Sequence, residues 1–389
     1  MSAMDVNAPL VLLGGLSPAQ FMRRHWQKKP LLVRQAWPGV QAPVTRAALF
    51  ALAAEDGIES RCVQREGQGA SERWRVRSGP LPRRSLPPVR QPNWTLLVQG
   101  LDHHSGAAHD LLSGFAFLPH ARLDDVMLSW ASDGGGVGPH LDSYDVFLLQ
   151  VQGQRRWQVG AARSAKDAVW RDDVPLKILR NFRPQHDWLL TPGDMLYLPP
   201  GWAHDGTAEG GACMTASIGF RAPAAATLAS EVLQRLADVA LDSPNDQRGL
   251  YTDRQQPATE TPGEIPLALM AFAQAAVARC LADPQALQQA LGEVLSEPKP
   301  QVWFSPLPAS RPQAAATTGI RLAAATRMLY DQRHIYINGE SLRAAGRDAR
   351  LMQRLADHRS LSAEDMKGLS AAARNVVMNW LQDGWLVPL

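Results

Sequence analysis

Short apolar runs separated by glycine- and proline-containing turns dominate the chain between residues 94 and 220. The runs cover residues 94–98, 145–151, 156–159 and 213–220. Many short strands joined by such turns are typical of a barrel or a jelly roll. Ahead of them, residues 17–26 predict a helix, with Ser17 as its N-cap and Pro18 in the first helical position.

The apolar spacing changes after residue 222. Residues 226–241 and 266–295 have apolar side chains at helical intervals and are separated by a polar loop that contains prolines. These helices need a partner surface, which is either the first region or a second copy of the chain. Further on, residues 327–339 predict strand and turn, and residues 351–358 and 362–383 predict helices.

The C-terminal pattern ends with a short strand at residues 385–388, and Ser362 with Asp365 forms a capping box. Two helices followed by a β end are compatible with a small winged-helix-like module. A linker rich in proline and alanine, residues 305–318, precedes it. We therefore predict three domains of mixed α and β structure, at residues 1–222, 223–304 and 305–389.

Composition narrows the class of protein. The 389 residues are 45% hydrophobic and 20% charged, as in an ordinary globular protein. No apolar run approaches the roughly 18 residues of a spanning helix, and the first ten residues do not resemble a secretory signal. The three cysteines lie far apart, which argues against disulfides and zinc–thiolate sites. We expect a cytoplasmic protein without a membrane partner.

Two motifs predict a metal site. The segment Gly-Gly-Gly-Val-Gly-Pro-His-Leu-Asp ends with His140 and Asp142, and Pro-Pro-Gly-Trp-Ala-His ends with His204. In a strand, positions two apart point to the same face, so His140 and Asp142 can reach one ion. Two imidazoles and one carboxylate are the ligands of non-haem Fe(II) oxygenases. A competing cluster of His103, His104 and His109 is interpreted as a loop.

A cationic side chain is predicted on an apolar face nearby. In residues 155–159, strand alternation places Arg155 with Trp157 and Val159, and Arg156 on the other face. A buried cation must be paired, and arginine can grip a carboxylate with two parallel hydrogen bonds. Arg155 is the predicted anchor for the carboxylate of 2-oxoglutarate, and a structural ion pair with a protein Asp or Glu is the alternative.

Two hydroxyl side chains are weaker candidates for the same pocket. Alternation in residues 213–220 places Thr215 and Ser217 on one face of a strand, where they could donate hydrogen bonds to the cosubstrate. The alternative, which explains these two residues equally well, is that they are small side chains that fill the interior of a barrel.

At these motifs the sequence resembles the JmjC-type ribosomal oxygenases, which are cupin-like 2-oxoglutarate/Fe(II) protein hydroxylases, and in particular their bacterial branch. The resemblance rests on five segments, residues 26–33, 134–147, 155–160, 192–204 and 217–221. It implies a double-stranded β-helix catalytic domain, a helical dimerisation segment and a winged-helix end. It also implies that His140, Asp142 and His204 form the catalytic metal triad and that Arg155 binds 2-oxoglutarate.

The resemblance further implies that this protein is an O2-dependent dioxygenase. Its implied substrate is an arginine side chain of the sixteenth protein of the large ribosomal subunit. A cationic target needs an acidic rim, which Asp133 and Asp145 could supply, although both could equally be turn residues. Histidyl hydroxylation of a ribosomal protein and N-methyl demethylation are the enzymatic alternatives. A non-enzymatic cupin-like protein with a DNA-binding module is the alternative from another class.

Nucleic acid is not an expected partner. The net charge is only +3, from 40 basic and 37 acidic residues, and residues 362–383 hold three acidic side chains against two basic ones. We therefore expect the winged-helix-like end to dock a protein or to brace a homodimer.

Overall fold

The computed structural model describes residues 4–67, 72–163, 166–242, 250–306 and 318–389. It divides into two units, residues 1–222 and 223–389. The boundary at residue 222 coincides with the predicted end of the first domain. The predicted division at residue 304 stays a prediction, and most of the predicted linker lies outside the described residues.

Antiparallel strands of the first unit form one sheet system within the described residues. The strands are β1 (Leu31–Val33), β2 (Ser60–Glu66), β3 (Arg73–Ser78), β4 (Trp94–Val98), β5 (Leu123–Ala131), β6 (Asp145–Ala162), β7 (His186–Leu190), β8 (Met195–Leu198) and β9 (Trp202–Phe220). Their order is β1-β8-β6-β9-β5-β4-β2-β3, and β7 also pairs with β6. Strand β3 therefore lies at one end of this order.

The long strands β6 and β9 organise this unit. The first half of β6 pairs with β8 and the last part of β9, and its second half pairs with β7 and the first part of β9. Register shifts between Gln150 and Gln154 separate the two halves. The runs at residues 145–151 and 156–159, predicted as separate strands, are thus one irregular strand. Such double use of long strands is typical of jelly rolls.

Short helices cover one side of the sheet. They are α1 (Pro18–Arg24), α2 (Arg46–Leu52), α3 (Leu101–His104) and α4 (Gly106–Leu111). The predicted N-cap is confirmed, because Ser17 and Gln20 form a capping box at the start of α1. The histidine-rich segment predicted as a loop is helical instead, in α3 and α4, because Ser105 caps the second of these helices.

The core of the first unit contains a group of packed aromatic rings. Tyr197 lies 5.0 Å from Phe21 and 4.8 Å from Phe147 between ring centroids. These rings come from α1, β6 and β8, so apolar burial joins the N-terminal helix to the sheet. In the second half of β6, the face that carries Arg155 and Trp157 lies toward the candidate site described below.

The second unit contains helices and two small sheets. Its helices are α5 (Ala225–Asp242), α6 (Leu267–Leu281), α7 (Pro284–Ser296), α8 (Gly346–His358), α9 (Ala363–Lys367) and α10 (Ala371–Gln382). Its strands are β10 (Ile320–Leu322), β11 (Met328–Tyr330), β12 (His334–Ile337), β13 (Glu340–Arg343), β14 (Ser360–Leu361) and β15 (Leu386–Pro388), in the orders β14-β10-β15 and β11-β12-β13.

Two predicted helices of this unit are each divided in two. The run at residues 266–295 breaks because Asp283 caps a new helix whose first residue is Pro284. The run at residues 362–383 breaks at Gly368, and Ser370 caps α10. The predicted capping box of Ser362 and Asp365 is confirmed. Among the described residues, no single helix has the length and hydropathy to cross a membrane; α6 and α7 reach them only when joined, and they are bent by 69°.

Candidate active site

Three potential metal ligands converge in the first unit. His140 Nε2 lies 3.8 Å from Asp142 Oδ1, and His204 Nε2 lies 3.5 Å from Asp142 Oδ2. The ligand atoms of the three side chains all lie within 4.8 Å of one another. Among the described residues, no other group of His, Cys, Asp or Glu side chains could share one ion in this way. Nitrogen, nitrogen and oxygen donors suit Fe(II).

The main chain presets both imidazoles for metal binding. His140 Nδ1 donates to the carbonyl of Gly138 and His204 Nδ1 donates to the carbonyl of Trp202, each at 2.8 Å. A carbonyl can only accept, so the proton of each neutral ring is on Nδ1 and Nε2 is free to bind a metal. Both side chains are therefore oriented without any help from an ion.

The sequence argument assumed that His140 and Asp142 lie in a regular strand, and the structure shows that they do not. His140 makes an isolated β-bridge with His204, and Asp142 lies in an irregular segment. Glycine is required on the approach: a Cβ on Gly136 would lie 2.5 Å from the Gly206 carbonyl, and Gly138 has φ of +78°. The Gly201 N–H donates to the Asp142 carbonyl at 2.8 Å, which ties the second motif to the first.

The electrostatics of the cluster favour cation binding. Burial, reinforced by His204, lowers the pKa of His140 to about 4, so its imidazole is neutral near pH 7. Burial alone would raise the pKa of Asp142, but its close contacts with the His204 and His140 imidazoles and with Tyr144 lower it to about 2. The pKa of His204 is raised, because its contacts with Asp142 outweigh the effect of burial. An ionised carboxylate thus lies between two ring nitrogens.

Tyr144 is a site residue that the sequence argument missed. It lies beside Asp142, and burial, followed by the charge of Asp142, raises the pKa of its hydroxyl. Its hydroxyl therefore stays protonated beside that carboxylate. Asp125 and Asp124 also act on Tyr144 electrostatically. The available signal was its position two residues after Asp142 in the same motif.

Arg155 is buried on the face that strand alternation predicts. Its side chain is 3% exposed, and Trp157 and Val159 are buried beside it. Nη1 donates to Ser129 Oγ at 3.4 Å and Nη2 to the Gly206 carbonyl at 3.0 Å, while Nε is buried without a partner in the described part of the chain. No carboxylate among the described residues forms an ion pair with it, contrary to the structural alternative.

Trp157 and Gly206 form one wall of the candidate site together with Arg155. The sequence argument assigned a site role to neither of them. The Trp157 ring lies 5.8 Å from the His204 ring, and the Arg155 guanidinium lies 5.1 Å from the Trp157 ring centroid. Trp157 pairs with Gly206 across the sheet, and a Cβ at Gly206 would lie 2.6 Å from Trp157 and 2.8 Å from Arg155 Nε. Gly206 therefore makes room for both side chains.

The two hydroxyl candidates lie in strand β9 close to this wall. Thr215 is opposite Ser129, the partner of Arg155, but its hydroxyl donates to Gln150 Oε1 at 2.8 Å. Ser217 lies two positions further along the same face, opposite Met127. Both are buried. Position alone therefore supports a pocket role, and the Thr215 hydroxyl already has a protein partner.

The two acidic candidates for a substrate rim differ. Asp133 is exposed, and its Oδ1 accepts from the Gly211 N–H at 3.1 Å. The proposal for Asp145 is wrong, because this residue is completely buried and its carboxylate accepts from Tyr197, Gln27 and Arg122. It joins core elements and offers nothing to an external cation.

Comparisons with known proteins agree with this architecture. The family model described as the JmjC domain matches residues 110–228, and the model of the ROXA-like winged helix matches residues 279–387. The ribosomal protein uL16 3-hydroxylase of Escherichia coli is 33% identical over 356 residues, which cover 89% of this chain and 90% of that protein. The chain belongs to the JmjC-type ribosomal oxygenases.

Solved structures extend the similarity to the whole fold. The X-ray structure of E. coli ycfD has a TM-score of 0.79 at 29% identity and covers 95% of this chain and 97% of that chain. The structure of YcfD, an E. coli ribosomal oxygenase, in complex with cobalt and 2-oxoglutarate has a TM-score of 0.76 and covers 95% and 98%. The predicted cupin-like domain followed by a winged-helix end is confirmed.

Proposed function

We propose that this protein is an Fe(II)- and 2-oxoglutarate-dependent hydroxylase of an arginine side chain in a large-subunit ribosomal protein. The single observation that supports it best is the His140, Asp142 and His204 cluster beside a buried arginine that lacks a carboxylate partner among the described residues. The relative named for hydroxylation of uL16 supports the choice of substrate.

The residues present fit the proposed metal and cosubstrate. His140, Asp142 and His204 would occupy one face of the metal, which leaves positions for 2-oxoglutarate and O2. With these bound, the metal centre supplies the oxidation of a C–H bond to an alcohol, with succinate and CO2 as co-products. Arg155 would grip the remote carboxylate of 2-oxoglutarate, which would satisfy its unpartnered Nε.

The other side chains position these groups. The protonated Tyr144 hydroxyl would donate to the Asp142 carboxylate, and Trp157 with Gly206 would close one side of the pocket against water. Thr215 and Ser217 would line the 2-oxoglutarate site on the face shared with Ser129. Asp133 remains a proposed acidic contact for the substrate.

The organisation of the chain is part of the proposal. Residues 223–304 would form a dimerisation domain and residues 305–389 a winged-helix domain that docks a protein or braces the dimer. Exposed apolar side chains on α6 support dimerisation. A cytoplasmic location follows from a ribosomal protein substrate.

Intact-mass spectrometry of ribosomal proteins tests the reaction. The proteins should come from cells that lack this enzyme and be incubated with the purified enzyme, Fe(II), 2-oxoglutarate and O2, with His140→Ala as the blank. We expect one added oxygen atom, localised to an arginine of uL16 and absent from the blank. Addition at a histidine would establish histidyl hydroxylation instead. Loss of a methyl group would establish demethylation, and no change on any ribosomal protein would refute the substrate.

A further inference from the structure

A basic cleft lies at the end of the sheet where β3 is the last strand. It encloses about 540 Å³ and is lined by Gln64, Arg75, Arg77, Ser85, Leu86 and Gln91, among others. None of the candidate metal ligands lines it. The cleft is therefore a feature separate from the proposed active site.

Strand alternation concentrates arginine on one face of β3. Trp74 and Val76 pack inward with Val63 and Ile178, so Arg73, Arg75 and Arg77 project from the opposite face. Positions two apart in a strand are separated by about 7 Å, so the three guanidinium groups start from a regular row. A row of this kind follows an extended chain of anionic groups better than it fits one isolated anion.

Little acidic charge offsets this row. Between residues 59 and 91 the sequence contains eight arginines against three glutamates. Arg75 has a single exposed ion pair, with Glu66 at 3.3 Å, and Arg73 has no ion pair within the described residues. Such an exposed pair is worth little, so a stronger anion can displace Glu66.

Arg77 adds a guanidinium that is held in place by neutral groups. Its Nη2 donates to Gln64 Oε1 at 3.1 Å and its Nη1 donates to the Ser85 carbonyl. These contacts orient the group without neutralising its charge. Further along the chain, the exposed Arg83 and Arg84 directly precede Ser85, and Arg90 directly precedes Gln91. The cleft is thus flanked by additional cations.

We propose that this arginine surface, defined by Arg73, Arg75 and Arg77 with the adjoining cleft, binds single-stranded RNA. Guanidinium groups pair with phosphates bidentately and stack on bases, and the Gln64 and Gln91 amides can donate to and accept from base edges. The biological setting rests on the proposed function, since a substrate taken from the ribosome is presented beside RNA. The small net charge of the whole chain concealed this local excess.

Fluorescence anisotropy with a labelled oligouridylate of about 12 nucleotides tests the proposal on the full-length protein. We expect binding that weakens steeply between about 50 and 200 mM NaCl. The double variant Arg73→Gln with Arg75→Gln should lose about 10-fold in affinity. The slope of the logarithm of its binding constant against the logarithm of the salt concentration should become less negative by about 0.7 for each lost phosphate contact. Both residues are exposed, so the fold should persist, which circular dichroism would verify.

The matched control is Arg23→Gln with Arg24→Gln, which removes the same charge from exposed positions of α1. It should bind RNA like the wild type. Equal loss in both double variants, or no RNA binding by the wild type at about 50 mM NaCl, would overturn the proposal. Equally effective displacement by polyglutamate of the same charge would also overturn it, in favour of an acidic protein partner.

The RNA measurement can fail independently of the proposed hydroxylase activity. If the double variant and the wild type hydroxylate isolated uL16 but neither binds RNA, only the RNA proposal is refuted. If RNA binds as expected but 2-oxoglutarate is not consumed with any ribosomal protein, only the hydroxylase proposal is refuted.

Discussion

His140 and His204 are hydrogen-bonded to each other through their main chains. The His140 N–H donates to the His204 carbonyl at 2.9 Å, and the His204 N–H donates to the His140 carbonyl at 3.1 Å. Their rings are 4.2 Å apart between centroids. The distance between the two proposed ligands is therefore set by backbone pairing, so the site is organised before any metal arrives.

This preorganisation predicts that one ligand can be removed without loss of the fold. Asp142→Ala should reduce the affinity for Co(II), a stand-in for Fe(II), by more than about 100-fold, because it removes the only anionic ligand. Turnover of 2-oxoglutarate should fall below detection. Calorimetric titration measures the affinity. His186→Ala is the control, because His186 is exposed and stacks on Trp188 away from the candidate metal ligands, and it should bind Co(II) normally. Undiminished Co(II) binding by the Asp142 variant would contradict the assignment.

Arg155 should determine the affinity for 2-oxoglutarate. Arg155→Met removes a charge-assisted bidentate contact worth about 1.5–3 kcal/mol, so the KM for 2-oxoglutarate should rise by about 10- to 100-fold. The KM of Arg155→Lys should lie between those of the wild type and Arg155→Met, because lysine keeps the charge but cannot form two parallel hydrogen bonds. Steady-state kinetics with varied 2-oxoglutarate measures this.

The adjacent Arg156 supplies a matched control. It lies on the opposite face, where it pairs with Asp187 and Glu209 at the surface. Arg156→Met should leave the KM unchanged. Equal effects of the two substitutions would show that general charge, and not a specific contact, attracts 2-oxoglutarate.

The parts of the site that the sequence could predict are those encoded in adjacent positions. His140 and Asp142 share one motif, and Arg155 was identified from alternation that holds locally in β6. Asp145 was misassigned because its burial depends on Gln27, Arg122 and Tyr197, all distant in sequence. The pairing of Trp157 with Gly206 depends on the register of two long strands, which local patterns do not specify.

The fold class was predicted correctly, but the continuity of some elements was mispredicted for a related reason. The strand-rich first part, the helices and the C-terminal β end follow from apolar periodicity. The continuity of β6 does not, because the register shifts after Gln150 let one strand change partners and disrupt the alternation. The sequence contains the residues at which two helices break, Pro284 and Gly368. The apolar spacing continues across both of them, so it does not reveal the breaks.

Gly206→Ala should impair 2-oxoglutarate binding while preserving the metal site. The added methyl would displace the Trp157 ring or the Arg155 guanidinium, because both lie under 3.0 Å from the Cβ position. We expect the KM for 2-oxoglutarate to rise by about 10-fold, or about 1.4 kcal/mol, with Co(II) affinity retained. Gly219→Ala in the same strand is the control, since its nearest neighbour is 3.7 Å away. An unchanged KM in the Gly206 variant would show that the wall yields freely.

Asp194 should make stability depend on acidic pH. The residue is 2% exposed, and its carboxylate accepts from the backbone N–H groups of Gln35 and Thr191 and from Arg34 Nη1. Burial alone would raise its pKa, but these hydrogen bonds lower it. A carboxylate whose pKa is lower in the folded state stabilises the fold above its unfolded pKa of about 3.9. That stabilisation is lost as the pH falls through the lower folded value.

Asp194→Asn should therefore lower the free energy of unfolding at neutral pH by about 1–3 kcal/mol. The difference from the wild type should shrink as the pH falls below about 4. Urea unfolding at a series of pH values measures both. Asp172→Asn, at an exposed surface ion pair, should change stability by less than about 1 kcal/mol. A difference for Asp194 that is constant with pH would exclude an ionised carboxylate as its origin.

The exposed face of α6 should hold two copies of the chain together. Leu267, Met270, Val277 and Leu281 are 82%, 44%, 59% and 45% exposed, and at about 100° per residue they fall on one stripe of the helix. Met270→Glu with Val277→Glu would place two charges in that stripe, so we expect a dimer to become a monomer with unchanged helix content. Sedimentation equilibrium measures the mass. Ala268→Glu, exposed on the other side of α6, should remain dimeric. A wild-type monomer, or a dimer that survives the double substitution, would remove α6 from the interface.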